Sequence, residues 1–137
     1  MQTIIKVRGY HLDVYQHVNN ARYLEFLEEA RWAWLEDTEA FRWMSANHLA
    51  FVVVNININY RRPAVLGDVL RVDSRIQQLR EKSGVIEQQV IRQSDGEIVA
   101  DALLTFACID LRTQKAQVLT GELRQKMVAM QALPGVE

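Results

Sequence analysis

Residues 20–36, NARYLEFLEEARWAWLE, carry the clearest periodicity in the chain. Tyr23, Leu27, Ala30 and Trp34 recur at i, i+4, i+7 and i+11, which stacks them on one face of a helix. Glu25, Glu28, Glu29 and Glu36 occupy much of the opposite face. Asn19 or Asn20 supplies the N-cap, its side-chain oxygen accepting an orphan N–H of the first turn. The spacing predicts one long amphipathic helix over 20–36. A second, shorter helix is expected over 39–47, bringing Phe41, Trp43 and Met44 beside it.

Outward from that helix the period changes. Upstream, the β-branched Ile4, Ile5 and Val7 predict a short strand over 3–10, and polar residues 11–20 form a loop. Downstream, Val54, Ile56 and Ile58 alternate with Asn55, Asn57 and Asn59, the pattern of a half-buried strand spanning 49–62. Pro63 and Gly67-Asp68 mark a turn. Strands are expected over 69–79 and 85–93, separated by the turn at 81–84. Ser94-Asp95-Gly96 is a second hairpin signal leading into a strand over 97–110. A last helix spans 121–131. The order βαββββ plus a C-terminal helix predicts an α+β fold, a five-stranded antiparallel sheet with the long helix laid across it. One helix cannot cover both sheet faces, so exposed edges and apolar surface call for a partner subunit.

Composition narrows the function. The 137 residues, 49% hydrophobic and 24% charged, read as one globular domain, 1–137, and exclude a disordered or collagen-like chain. A net charge of −1 argues against a nucleic-acid binder that neutralises phosphates. The single cysteine, Cys108, excludes an internal disulfide and a multi-cysteine metal site. No apolar stretch has the length of a signal peptide core or a membrane span, so a cytoplasmic protein with no membrane partner is expected.

The sequence has no Gly-x-Ser-x-Gly elbow and no Gly-rich phosphate loop. Cys108 lies in the alternating run 105–109 and reads as a small core residue. His11, Asp13 and His17 form a faint two-histidine, one-carboxylate set, but all three come from one loop with no helical His pair. A hydrogen-bonded loop is the better reading, and neither metal nor cofactor is expected. Asp13 stands out because it shortly precedes a helix N-terminus. Free N–H groups and the macrodipole there favour developing negative charge, and a carboxylate could activate water or attack a carbonyl. Residue physics alone leaves open whether Asp13 is catalytic or a plain loop residue.

The run from Tyr10 to Tyr23, containing Asp13, His17, Val18, Asn19 and Asn20, resembles the signature of hotdog-fold thioesterases of the 4-hydroxybenzoyl-CoA thioesterase type. That signature reads Asp-x-Asp-x-x-Gly-His-Val-Asn-Asn-x-x-Tyr and continues into Glu-x-Ala-Arg, matched by 28–31. A second segment, 60–68, resembles the family's Pro-x-x-x-Gly-Asp turn at Pro63, Gly67 and Asp68. Two positions depart: His11 stands where many relatives have the first aspartate, and Gln16 replaces a glycine. The resemblance, with bacterial long-chain acyl-CoA thioesterases as its nearest branch, implies hydrolysis of acyl-CoA to fatty acid and coenzyme A, linked to fatty acid degradation. It implies Asp13 as nucleophile or general base, with backbone N–H groups near Val18, Asn19 and Asn20 polarising the thioester carbonyl. His17 and Asn19 would order the loop or contact substrate. Glu28 and Arg31 are expected to pair at i, i+3. The fold implies a sheet wrapped around the long helix and sheets joined between subunits, as a homodimer or tetramer of dimers with sites at the interface.

Tyr23, Leu27, Trp34, Phe41, Trp43 and Met44 are the candidates for an acyl pocket, with Trp32 and Phe51 in the same aromatic cluster. Arg61, Arg62, Arg80 and Lys82 are the candidates for coenzyme A phosphates. The alternatives are a non-catalytic acyl-thioester-binding module and a thioesterase for aromatic acyl-CoA or acyl-carrier-protein substrates. A dehydratase of the same fold would need a histidine on the long helix, and 20–36 has none.

Overall fold

In the computed structural model of the protein, residues 1–131 are described. Strand β1 (Gln2–Lys6) leads into a short 3-10 turn at Gly9–His11, and helix α1 spans Asn20–Leu35. Helix α2 (Glu39–Ala46) precedes strands β2 (Leu49–Tyr60), β3 (Val69–Leu79), β4 (Gly84–Arg92) and β5 (Ile98–Asp110). The two-residue β6 (Lys115–Ala116) and helix α3 (Gly121–Gln131) follow.

The strands form one antiparallel sheet in the order β1-β3-β4-β5-β2, with β6 added beside the end of β5. Alternation decides which side chains meet α1. Leu70, Val72, Ser74 and Ile76 of β3, with Ile86, Gln88 and Val90 of β4, are buried, and β5 contributes Ala100, Ala102, Leu104 and Phe106. Against them α1 buries Tyr23, Phe26, Leu27, Ala30 and Trp34, including all four residues of its predicted stripe. Each large side chain buried here is worth about 1.5–3 kcal/mol, so this layer dominates stability. Gly84 faces Phe106 across the β4–β5 ladder, and a Cβ there would run into the ring. Cys108 is fully buried, and burial pushes its thiol up to about 11, as suits a core residue.

Three expectations need correction. β1 ends at Lys6 rather than Tyr10, because Val7 leaves the ladder to bond with Gly67 and Asp68. The sheet gains β6, too short to leave a periodic signal. The third concerns β2: it is not half-buried on the Val54, Ile56 side. It is the sheet edge, with a register shift between Val53 and Asn55, and residues 52–57 are exposed whichever way they point. Val54 is 60% exposed.

Candidate active site

The site begins with a tight turn. Leu12 and Val18 pair as an isolated antiparallel bridge, the Asp13 N–H donates to the His17 carbonyl at 2.8 Å, and the Gln16 N–H donates to the Asp13 carbonyl at 3.0 Å. Closing so short a loop puts Gln16 in the left-handed region, at φ 63°. That explains why the family pattern has glycine there. Asp13 Oδ1 accepts the Tyr15 N–H at 2.8 Å and, at the limit, the His17 N–H at 3.4 Å. Among the described residues Oδ2 meets no donor, so one oxygen is held by backbone and the other is open for chemistry.

The loop is fastened at three points. The Asn19 N–H donates to the His11 carbonyl at 2.9 Å, and the Val18 N–H donates to the Ala64 carbonyl at 2.9 Å. At the start of α1, Tyr60 Oη donates to the Asn20 carbonyl at 3.2 Å. Asn19 is the N-cap, its Oδ1 accepting the Ala21 N–H at 2.9 Å. The N–H groups of Val18 and Asn19 are therefore committed to carbonyls. Among the described residues the Asn20 N–H has no acceptor, which leaves it as the donor facing outward at the positive end of α1.

His11, in the place of the family's first aspartate, is turned inward. Its Nδ1 accepts the Arg8 N–H at 2.9 Å and its ring stands edge-on to Phe26, 4.9 Å between centroids. Burial, then the nearby Arg22, holds its pKa below the usual 6.5, so the neutral ring that can accept this bond is favoured. His17 is exposed, and it meets Asp13 through its backbone. Tyr23 is buried beside Tyr60 and the Ala64 backbone, its phenol pushed up by burial.

The remaining candidates separate. Arg61 pairs with Asp101, and exposed Arg62 reaches the Arg61 carbonyl; both follow β2 at the α1 N-terminal end of the sheet. Arg80 and Lys82 sit in the β3–β4 hairpin. On β5, Tyr60 is opposite Ala100 and Gly84 is opposite Phe106, so the two pairs lie about 20 Å apart along the strand. One subunit cannot use all four on one phosphate cluster. Tyr23, Leu27, Trp34 and Met44 are at most 3% exposed and pack in the core, while Phe41 and Trp43 are half-buried. Phe41 meets the exposed Trp32 edge-on.

The expected Glu28–Arg31 pair does not form. Arg31 Nη1 instead donates to Gln88 Oε1 at 3.1 Å, and Glu28 accepts from Trp32 Nε1. Gln88 was not singled out by the sequence, although its place between Ile86 and Val90 in an alternating strand put a polar group on the inner face. The pull is physical: a fully buried amide needs partners, and Gln88 Nε2 also donates to the Leu27 carbonyl at 3.0 Å and to Ser74 Oγ at 2.9 Å.

An antiparallel sheet folded about one central helix, with a carboxylate anchored just before that helix, defines a hotdog thioesterase. The chain belongs to the Thioesterase-like superfamily, whose sequence model matches residues 7–127. It is 67% identical over 130 residues to the long-chain acyl-CoA thioesterase FadM of Escherichia coli, covering 95% of this chain and 98% of that one. It is 29% identical to the acyl-CoA thioesterase YbgC of Haemophilus influenzae over 78% of this chain and 79% of that one. The crystal structure of the probable thioesterase YbaW of Escherichia coli superposes with a TM-score of 0.92 at 67% identity, covering 95% of this chain and 98% of that one.

Proposed function

We propose that this protein hydrolyses long-chain acyl-CoA thioesters to fatty acid and coenzyme A, with Asp13 as the reacting carboxylate. The observation that carries the site is the divided engagement of Asp13: Oδ1 fixed by the turn, Oδ2 without a donor among the described residues, in the loop that leads into α1. The long-chain preference rests on the 67% identity to the Escherichia coli enzyme of that activity.

With the carbonyl at the end of α1, the Asn20 N–H and the helix dipole stabilise negative charge growing on its oxygen. Asp13 Oδ2 either takes a proton from water as that water adds to the carbonyl, or adds to the carbonyl itself to give an anhydride that water then opens. In both routes the C–S bond breaks and the electron pair leaves with coenzyme A sulfur, which ends as the thiol. In the first, water supplies the acid's second oxygen. In the second, water adding at the Asp13 carbonyl of the anhydride leaves its oxygen in Asp13 while the fatty acid keeps an Asp13 oxygen. A single turnover in 18O-water separates them, since only the anhydride route can leave label in Asp13.

Arg61 and Arg62, on the catalytic side of the sheet, are the cations retained for coenzyme A phosphates, and Arg80 and Lys82 are set aside for the same subunit's site. The exposed apolar edge at β2 supports pairing with a second copy, giving a homodimer or a tetramer of dimers.

Thiol release from acyl-CoA of C4 to C18, with benzoyl-CoA and acyl-carrier-protein thioesters alongside, tests the substrate. Each buried methylene is worth about 0.8 kcal/mol at best, so kcat/KM should climb with length until the chain no longer fits. A benzoyl or short-chain optimum removes the long-chain reading. Asp13→Asn should lower kcat by roughly 100-fold or more, and near-parental turnover in the folded variant removes Asp13 from the mechanism.

A further inference from the structure

The turn at 63–68 holds the catalytic loop and is itself held from below. Its Ala64 carbonyl accepts the Val18 N–H at 2.9 Å, the bond that fixes the far side of the Asp13 turn. Gly67, at φ 84°, lets the segment reverse, and Asp68 Oδ2 closes it by accepting the Val65 N–H at 2.9 Å. Arg92, at the end of β4, reaches both ends of this turn. Its Nη2 donates to the Pro63 carbonyl at 2.6 Å, and its Nε lies 3.4 Å from Asp68 Oδ2, an ion-pair contact. On the other side Nη1 donates to Asp95 Oδ2 at 2.7 Å, tying the group to the β4–β5 turn. Side-chain exposure at Arg92 is 18%, so water competes little for these bonds.

The guanidinium is planar with its donors in a fixed fork, so it bonds the Pro63 carbonyl and Asp95 at once while its charge faces Asp68, although Nε itself donates no hydrogen bond. An ammonium is a point charge without that fork. Ala64 is fully buried and its backbone is also met by the Tyr23 phenol, so little slack lies between Pro63 and the Ala64 carbonyl.

We propose that Arg92 is a positioning residue for the hydrolysis: by clamping Pro63 and Asp68 it sets the Ala64 carbonyl, and through the Val18 N–H it sets Asp13 against the N-terminus of α1. The proposal rests on the assignment of Asp13 above. In this proposal Arg92 acts through the turn and not on the acyl-CoA. Its effect therefore belongs on the chemical step, with binding of the acyl-CoA little changed.

The test compares Arg92→Ala and Arg92→Lys with the parent, reading kcat, KM, thermal stability and amide exchange by NMR. Arg92→Ala should lose about tenfold or more in kcat with KM within about threefold. The Val18 amide should exchange about tenfold faster, while core amides such as Val72 and Val90 keep their protection. Arg92→Lys, keeping the charge but not the fork, should fall between, and it carries the test if the alanine variant does not fold. Parental kcat with parental Val18 exchange overturns the proposal. So does a change in one of the two without the other, or a uniform loss of protection with kcat per folded molecule unchanged. Asp13→Asn run in parallel separates the two assignments. If that variant is inactive while Arg92→Ala is fully active, only the clamp fails. If Asp13→Asn is active, the carboxylate assignment fails, and Val18 exchange alone still judges the clamp.

Discussion

Gln16 is held at φ 63°, where an L side chain crowds its own backbone. Gln16→Gly relieves that crowding and should raise stability by about 0.5–1 kcal/mol in urea unfolding, with kcat within about twofold. A lower midpoint would show that the glutamine side chain stabilises the turn more than the backbone strain costs. His11 carries the second residue-scale prediction. Burial lowers its folded pKa from 6.5, and the neutral ring accepts the Arg8 N–H. Between the folded and unfolded values the unfolded chain binds more protons, so stability rises with pH there. The contribution is complete above about 6.5 and is lost as pH falls through the folded value. Urea unfolding from pH 8 to pH 5 should show this acid-side loss in the parent and a smaller one in His11→Asn, whose amide oxygen can still accept. Equal slopes would remove His11 as the source.

Between elements, one amide does unusual duty. Gln88 of β4 joins three elements: the Leu27 carbonyl and Arg31 of α1, and Ser74 of β3. Burial also lowers the Arg31 pKa, an effect that the nearby Glu28 charge opposes, and the Gln88 oxygen accepts from its guanidinium. Gln88→Ala leaves a cavity and three polar groups short of a partner, and should cost about 2–4 kcal/mol in urea unfolding. A loss below about 1 kcal/mol would mean that water or a rotated Ser74 replaces the amide. The sequence singled out neither the inward position of Gln88 nor its partners: Val85 and Ile91 make the opposite face of β4 as apolar, and Arg31 lies 57 residues away in the chain.

For the whole molecule, the proposed pairing with a second copy rests on the edge at β2. Val52, Val53, Val54 and Ile56 are each at least 36% exposed on a strand whose outer hydrogen-bonding edge has no neighbour among the described residues. Val54→Lys puts a charge where a second copy would pack, and light scattering at micromolar concentration should show the mass falling to that of one chain, with activity falling too. A parent that is already monomeric and fully active would remove the argument. Scale also explains the divided cations. Arg61, Arg62, Arg80 and Lys82 looked equivalent as basic residues near turns, and only the antiparallel order of β2, β5 and β4 sends them to opposite ends of the sheet.

Local order was determined by the sequence alone: the stripe of α1, a cap at Asn19 or Asn20, the turns and the existence of β2 to β5 all depend on neighbours two to four residues away. The Asp13 loop was legible as a motif for the same reason, and even its strain was foreshadowed by a glutamine standing in a glycine's place. The tertiary structure decided which residues meet across long stretches of chain. It turned Arg31 from Glu28 to Gln88, exposed the apolar side of β2, and brought Arg92 onto Pro63, 29 residues earlier. Periodicity fixes which face of an element is apolar; strand order and register fix what that face, and each buried polar group on it, will touch.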